Sequence, residues 1–353
     1  MSLQCLRPLA RASSAKTRLR HRLWLVMALV VPLVSPGAAL AQEEKPAPKR
    51  EAAEEPEKPE KPVKPVKPDK KVDLTPVDIG GPELVTKDGV QLKATFYPSA
   101  KGKEAVPVIL LHMSKGDRKE YNTLAPFLQE QGHAVLVPDL RGHGESTSTL
   151  AGGKLDPGNI DLEQMVYQDM ETLRRFLLQK NNEGELNISK LCVVGAEMGA
   201  LVALNWARYD WTSLTGERPP MHVKALVLIS PPPSFPGLTT KQALANLGVR
   251  SQLSVLIVVG KEVGKYAEEA KRIHNIFKRY HPEPPKEQNL TKEQKLNLQD
   301  LFYGPLETKL QGSKMLGVRG LNVDRAIAQF IDLRLVKQNR PELAWRDRSG
   351  KGK

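Results

Sequence analysis

Acyl-transfer chemistry asks for a nucleophile, a base that takes its proton and a carboxylate that fixes the base in one tautomer. In this 353-residue sequence the spacing best suited to carry such a group is Gly195-Ala-Glu-Met-Gly199, directly after the apolar run Leu191-Cys-Val-Val194. Glycines on either side of a bend let a helix pack close on a strand, and the residue carried on this bend is Glu197. Its carboxylate has three uses open to it. At the start of a helix an anion gains about 0.3–1 kcal/mol from the macrodipole. On the floor of a site it could bind a ligand or pair with Lys314 or Lys115, or it could attack as a carboxylate nucleophile. Bases are scarce. His112 precedes Met113 and Ser114 at the end of another apolar run, and His143 lies in Arg141-Gly-His-Gly144. His133, His222, His274 and His281 show no metal-ligand spacing with one another or with acids, so neither a metal nor a cofactor is expected. No histidine follows His281.

The elements that would hold these residues are legible as an alternation of short β-branched runs and amphipathic stretches over residues 82–336. That pattern belongs to an α/β domain with a mainly parallel sheet. A hairpin is expected first, 83–86 and 90–97 around Lys87-Asp88-Gly89, because Asp-Gly favours a type I′ turn. Strands are expected at 106–112, 134–138, 191–195, 223–230, 254–260 and 307–311. Helices are expected at 122–131, from Asp161 with Gln164 as a capping box, and at 198–209, 240–247, 266–280 and 323–335. Leu162, Met165, Val166, Leu173, Phe176 and Leu177 form a core-facing stripe. Residues 281–300, rich in proline and polar side chains, read as an inserted loop. Ser230-Pro-Pro-Pro-Ser-Phe-Pro236 leads into one short helix, so there is no large cap and any pocket should be shallow and open.

Three segments, in this order and spacing, resemble the α/β-hydrolase fold family. Val137-Pro-Asp-Leu-Arg-Gly-His-Gly-Glu-Ser146 is similar to the loop after its fourth strand, and Val193-Val-Gly-Ala-Glu-Met-Gly-Ala200 to its nucleophile elbow. Leu310-Gln-Gly-Ser-Lys-Met-Leu-Gly317 falls where that family places its catalytic histidine. The resemblance implies an eight-stranded, mostly parallel sheet flanked by helices with a minimal cap. It also implies that the catalytic positions are substituted. Glu197 stands for the elbow serine, Val263 or the neighbouring Glu262 for the acid, and Met315 or Lys314 for the histidine. A glutamate has no hydroxyl proton to give up and would form an anhydride rather than an ester. Haloalkane dehalogenases, which the elbow also resembles, use Asp there, but the absent histidine removes the base that would hydrolyse a covalent ester. His112, Met113, Ser114, Ala196, Glu197 and Met198 are expected to outline the remaining polar pocket around the old oxyanion position.

Outside the domain, bases up to Arg22 precede the apolar segment Leu23 to Val34 and the triplet Ala39-Leu40-Ala41, the layout of a secretory signal peptide cleaved after Ala41. The alternative is an N-terminal membrane anchor, although Pro32 interrupts a run already short for a span. Residues 42–81 shift to Glu, Lys, Pro and Ala and form a disordered, proline-rich linker, with Lys-Pro triplets compositionally similar to TonB-type spacers. Cys5 precedes the cleavage point, so Cys192 is alone and reads as a small buried hydrophobe. Of the formal charge of +13, six bases lie in the first 41 residues, and the basic polar tail 337–353 adds a net four that should be solvated. Charge so dispersed is no basic groove, and nucleic-acid binding is excluded. Membrane contact is expected only through the N-terminus.

Together these features describe an exported, periplasmic or secreted α/β-hydrolase-like protein whose function is binding a small ligand or an envelope protein rather than catalysis. The alternative is an esterase-like or peptidase-like serine hydrolase with a non-standard constellation drawn from Ser114, Ser230, His112 and Glu262, or a carboxylate-nucleophile hydrolase.

Overall fold

The structure, a computed structural model, describes residues 72–156, 161–212, 221–284 and 289–350. The signal segment 1–41 and linker residues 42–71 lie outside the described residues. Eight strands form one sheet: β1 Val77–Ile79, β2 Lys93–Tyr97, β3 Pro107–Leu111, β4 Ala134–Asp139, β5 Leu191–Ala196, β6 Val223–Ile229, β7 Ser254–Gly260 and β8 Leu301–Leu306. Their spatial order is β1-β2-β4-β3-β5-β6-β7-β8. The first two strands run antiparallel to their neighbours and every pairing from β4 to β8 is parallel.

The central strands read as unbroken apolar runs because both faces are covered. Alternation along each strand sends Ile109, Val193, Leu228 and Ile257 into one core and Leu110, Val194, Val227 and Val258 into the other. On the first face lie three helices. One is α2, which runs from Leu162–Gln164 through a π-helical turn at Met165–Asp169 into Met170–Asn182. The others are α3 (Met198–Thr212) and α6 (Gly264–Lys278). On the second lie α1 (Leu124–Glu130) and α8 (Val323–Ile331). Between β6 and β7 come two short helices, α4 (Thr240–Ala245) and α5 (Leu247–Gln252), and a two-residue ribbon pairing Ser234–Phe235 with Leu238–Thr239. The expected single helix is therefore two, but the cap is still minimal. Cys192 is fully buried among these apolar side chains, and burial pushes its thiol well up.

Several expectations need correction. The domain starts before residue 82: Val77–Ile79, assigned to the linker, pairs with Ala94–Phe96. The expected hairpin shrinks to a single bridge, Val85 to Gln91, beside a 3₁₀ turn at Gly81–Leu84. Its turn is not type I′, which needs two residues with positive φ; here Gly89 alone is left-handed, at 84°. The eighth strand is 301–306, not 307–311. Gly304 and Pro305 disguise it in the sequence, and the proline is tolerated because β8 is an edge strand bonded to β7 alone. Within 281–300 there is a helix, α7 (Lys292–Leu298), started by a Thr291/Gln294 capping box, although its polar composition shows no apolar stripe. Asp161 caps α2 through the N–H of Glu163 at 2.8 Å, without the reciprocal bond of a capping box.

The tail is docked on the domain as far as Arg348 rather than free in solvent, although most of its residues are exposed. Leu343 is 3% exposed, and Asn187 donates to its carbonyl at 2.9 Å. Asn181 donates to the Arg346 carbonyl, Arg348 donates to the Ser189 hydroxyl, and the Lys103 ammonium lies 3.9 Å from the centroid of the Trp345 ring. A buried leucine truncated to alanine costs about 2–3 kcal/mol at a site that partly collapses. Leu343→Ala should therefore lower the urea midpoint of unfolding by that equivalent, whereas a tail free in solvent would leave the midpoint unchanged.

Candidate functional site

The chain turns from β5 into α3 at Glu197, whose φ of 46° is left-handed. A non-glycine residue there carries roughly 1–2 kcal/mol of strain, and the flanking glycines explain why it persists. A Cβ on Gly195 would strike the backbone of Gly199, and one on Gly199 would strike the carbonyl oxygen of Leu111. The helix therefore starts hard against β3 and β5, and the bend between is lifted to the carboxyl edge of the sheet. Expected as a tight turn from the persisting glycines, the bend has that conformation. The Glu197 carboxylate accepts a hydrogen bond from the Tyr266 phenol at 2.9 Å. Burial and the facing carboxylate push that phenol up to about 12. Neither Lys314 nor Lys115 forms an ion pair with Glu197 among the described residues.

A second carboxylate, absent from the sequence reading, lies at the turn after β3, where oxyanion-hole residues are expected. Glu120 accepts the backbone N–H of Met113 at 2.9 Å, the amide that follows the end of β3. Burial raises its pKa; the Met113 N–H and the Ser313 hydroxyl bond to it and oppose that rise, while Asp117 and Glu197 add to it as like charges. A Cβ on Gly116 would overlap the Glu120 carboxylate and displace it. Two acids thus lie close together here, one on the elbow and one on the amide after β3. Glu197 Cγ and the Met113 side chain both crowd the place a Cβ on Gly312 would take, the former at 3.2 Å.

The other positions singled out by the resemblance lie apart from the elbow carboxylate. Met315 is fully buried in the hydrophobic core, and Lys314 points to solvent from the turn Gly312–Met315. Val263 serves as the N-cap residue of α6, and Glu262 is exposed. Ser230 is buried with φ 49°; its hydroxyl donates to Gln311 at 2.7 Å and accepts from the Gly312 N–H at 2.9 Å. Gln311 in turn donates to the Gly260 carbonyl at 2.7 Å, tying the ends of β6 and β7 to the turn after β8. His112 is fully buried with both ring nitrogens used by backbone: Nε2 accepts from Leu140 N–H at 3.0 Å, so Nδ1 carries the hydrogen and donates to the Met113 carbonyl at 2.7 Å. Ser114, Ser230, His112 and Glu262 therefore do not converge. Among the described residues no histidine ring is hydrogen-bonded to Glu197 or to a serine hydroxyl.

Above this floor lies an open cleft of about 610 Å³. Its polar lining is Ser114, Lys115 and His143, and its apolar lining Leu162, Met198, Phe235 and Pro236. The other residues named from sequence do not enter it: Ala196 is buried at the end of β5, and Met113 packs beneath. The two loops that rim it are pinned by Asp139. This 1%-exposed carboxylate pairs with the Arg118 guanidinium and accepts the N–H groups of Arg118 at 2.7 Å and Glu145 at 2.9 Å. Arg141, also buried, bridges Asp169 at 2.7 Å and Asp88 at 2.7 Å and holds the same loop to α2 and to the first turn. Among the described residues no group of three or more His, Cys, Asp or Glu could hold a metal ion.

With this geometry in view, a family model described as alpha/beta hydrolase fold matches residues 106–249. Among curated proteins, an uncharacterized protein of Mycobacterium tuberculosis strain H37Rv is 28% identical over 146 residues, 41% of this chain and 43% of that protein. A counterpart in strain CDC 1551 gives the same values. The matched stretch thus spans less than half the length of these relatives. Among solved structures, the Pyrococcus furiosus esterase Pf2001 aligns with a TM-score of 0.52 at 16% identity, over 74% of this chain and 91% of that one. The α/β hydrolase GrgF from Penicillium sp. sh18 aligns at 0.50 and 14%, over 74% and 99%. These likenesses are of fold. The chain has the α/β-hydrolase fold.

His112 sets a pH limit on the floor of this site. Burial pushes its imidazole down from 6.5 to about 4, so the folded state excludes a proton that the unfolded chain takes up below about pH 6.5. Stability should be full above that pH and fall as the pH drops toward 4, by on the order of 3 kcal/mol from this group. Urea unfolding of His112→Gln at pH 7.5 and pH 4.5 should show a correspondingly smaller pH-induced loss than the wild type; equal losses would assign the acid sensitivity elsewhere.

Proposed function

We propose that this chain is an α/β-hydrolase-fold protein whose site binds a ligand or partner in the cell envelope and performs no hydrolysis. The observation that carries this reading is the pair of carboxylates. One, Glu197, stands at the elbow where the fold carries a nucleophile, and the other, Glu120, holds the Met113 amide at the turn from which the fold draws part of its oxyanion hole. A negative charge about 4 Å from an oxyanion opposes it by about 4 kcal/mol at an effective dielectric near 20. A working hydrolase needs the opposite sign there. The second support is the absence of a base at the elbow, with Met315 withdrawn into the core. A carboxylate nucleophile would meet the same lack when its covalent ester had to be cleared.

Export is part of the proposal and rests on the N-terminal segment alone: the bases before Leu23, the apolar run to Val34 and the Ala39-Leu40-Ala41 triplet. Among the described residues no helix is long and apolar enough to cross a membrane.

The purified chain should neither react with a fluorophosphonate probe nor turn over p-nitrophenyl acetate. Glu197→Ser should stay equally inert, because the Met113 amide remains taken by Glu120 and, among the described residues, no imidazole is hydrogen-bonded at the bend. Labelling that disappears on Ser114→Ala would overturn the proposal. For export, the intact mass of protein recovered outside the cytoplasm should correspond to a chain beginning at Gln42, and an unprocessed chain retained with the cells would refute it.

A further inference from the structure

The cleft beside the elbow is lined by a lysine, a serine, a histidine and a set of apolar side chains, with no acid among its described lining residues, and that composition specifies a class of occupant. Its volume of about 610 Å³ lies within the range of small-molecule sites, roughly 300–1,000 Å³. The apolar lining is Met198 from the start of α3, Leu162 from the start of α2, and Phe235 and Pro236 from the small cap. Ser114, Lys115 and Gly116 come from the turn after β3, which Gly116 closes by donating its N–H to the Met113 carbonyl at 3.1 Å. The third residue of that turn is Lys115, with φ 63°. Glycine is the least strained residue at such a position, so the lysine is held there against a backbone preference, and a strained backbone at a cleft is a pointer toward function.

Among the described residues no ion pair engages the Lys115 ammonium and no hydrogen bond engages the Ser114 hydroxyl beside it. His143 lines the same cleft. Its Nδ1–H donates to the Arg141 carbonyl at 3.0 Å, which fixes the tautomer and leaves Nε2 as the ring's open nitrogen. The acids nearby have other partners: Glu120 accepts the Met113 amide, Glu197 the Tyr266 phenol, Asp117 the Lys119 amide at 2.8 Å, and Glu145 pairs with Arg118 at 2.9 Å. Among the described residues no acid lines the cleft itself, which offers an unpaired cation and a hydroxyl together with hydrocarbon contact.

We infer that the cleft binds an amphiphile with a carboxylate head, its anionic oxygens at Lys115 and Ser114 and its apolar chain along Met198, Leu162 and Phe235. This deepens the binding reading above and rests on it. Three probes of equal chain length separate the possibilities: octanoate, octylamine and octanol, each titrated calorimetrically into the full chain. Octanoate should bind more tightly than the other two. Lys115→Gln should weaken octanoate about fivefold, the scale of one exposed charge pair, and leave octanol unchanged. Phe235→Ala, at a half-buried position and with its urea midpoint checked against the wild type, should weaken octanoate and octanol alike. Octylamine or octanol binding as tightly as octanoate, an unchanged affinity in Lys115→Gln, or no binding of any probe would each overturn the head-group assignment. Equal binding of all three, lost together in Phe235→Ala, would leave a binding cleft of different selectivity. Fluorophosphonate labelling would instead remove the binding reading itself.

Discussion

The close seating of α3 on β3 and β5, made possible by the bare backbone at Gly195 and Gly199, is the constraint on which the rest of this molecule depends. No side chain fits between helix and sheet there, so the chain must turn sharply and must place one residue in a left-handed conformation at the carboxyl edge. That geometry serves a serine hydroxyl well, and here it presents a glutamate. The scaffold therefore still concentrates a site at one point, between the turn after β3, the loop after β4 and the small cap, even though the chemistry at that point has changed sign.

What the site has gained is internal pairing. In a hydrolase of this fold the oxyanion amide waits for substrate; here it already has a partner in Glu120, which is steadied in turn by Ser313. The elbow residue is held by Tyr266, the strand ends are knitted by Ser230 and Gln311, and His112 is consumed by two backbone bonds. Each of these contacts satisfies a polar group. An unmet polar group in a buried place costs about 1–3 kcal/mol, so pairing of this kind stabilises the fold around the elbow.

Much of this was readable from sequence, and the failures have physical causes. The order of strands and helices followed from apolar periodicity, and the tight bend at Glu197 from the glycines at 195 and 199. Glu120 was not legible, because its role arises from a contact across the turn at Met113 and Gly116 that no spacing rule encodes. Tyr266 escaped notice for a related reason: the first turn of α6 meets the elbow only once the sheet is assembled. Strand β8 was misplaced because an edge position tolerates the glycine and proline that normally argue against a strand. The tail was misread because its charge suggested solvation, whereas Leu343 and Trp345, the residues that dock it, are outnumbered by bases.

Glu120 on the Met113 amide also bears on how substitutions at this site combine. A hydroxyl at 197 would face an amide that Glu120 already holds, removal of Glu120 would leave Gly116 facing an empty space, and an imidazole at 315 would have to be accommodated among hydrophobic side chains. These changes share one packed neighbourhood, so their effects are non-additive and none of them alone reports what the others would do.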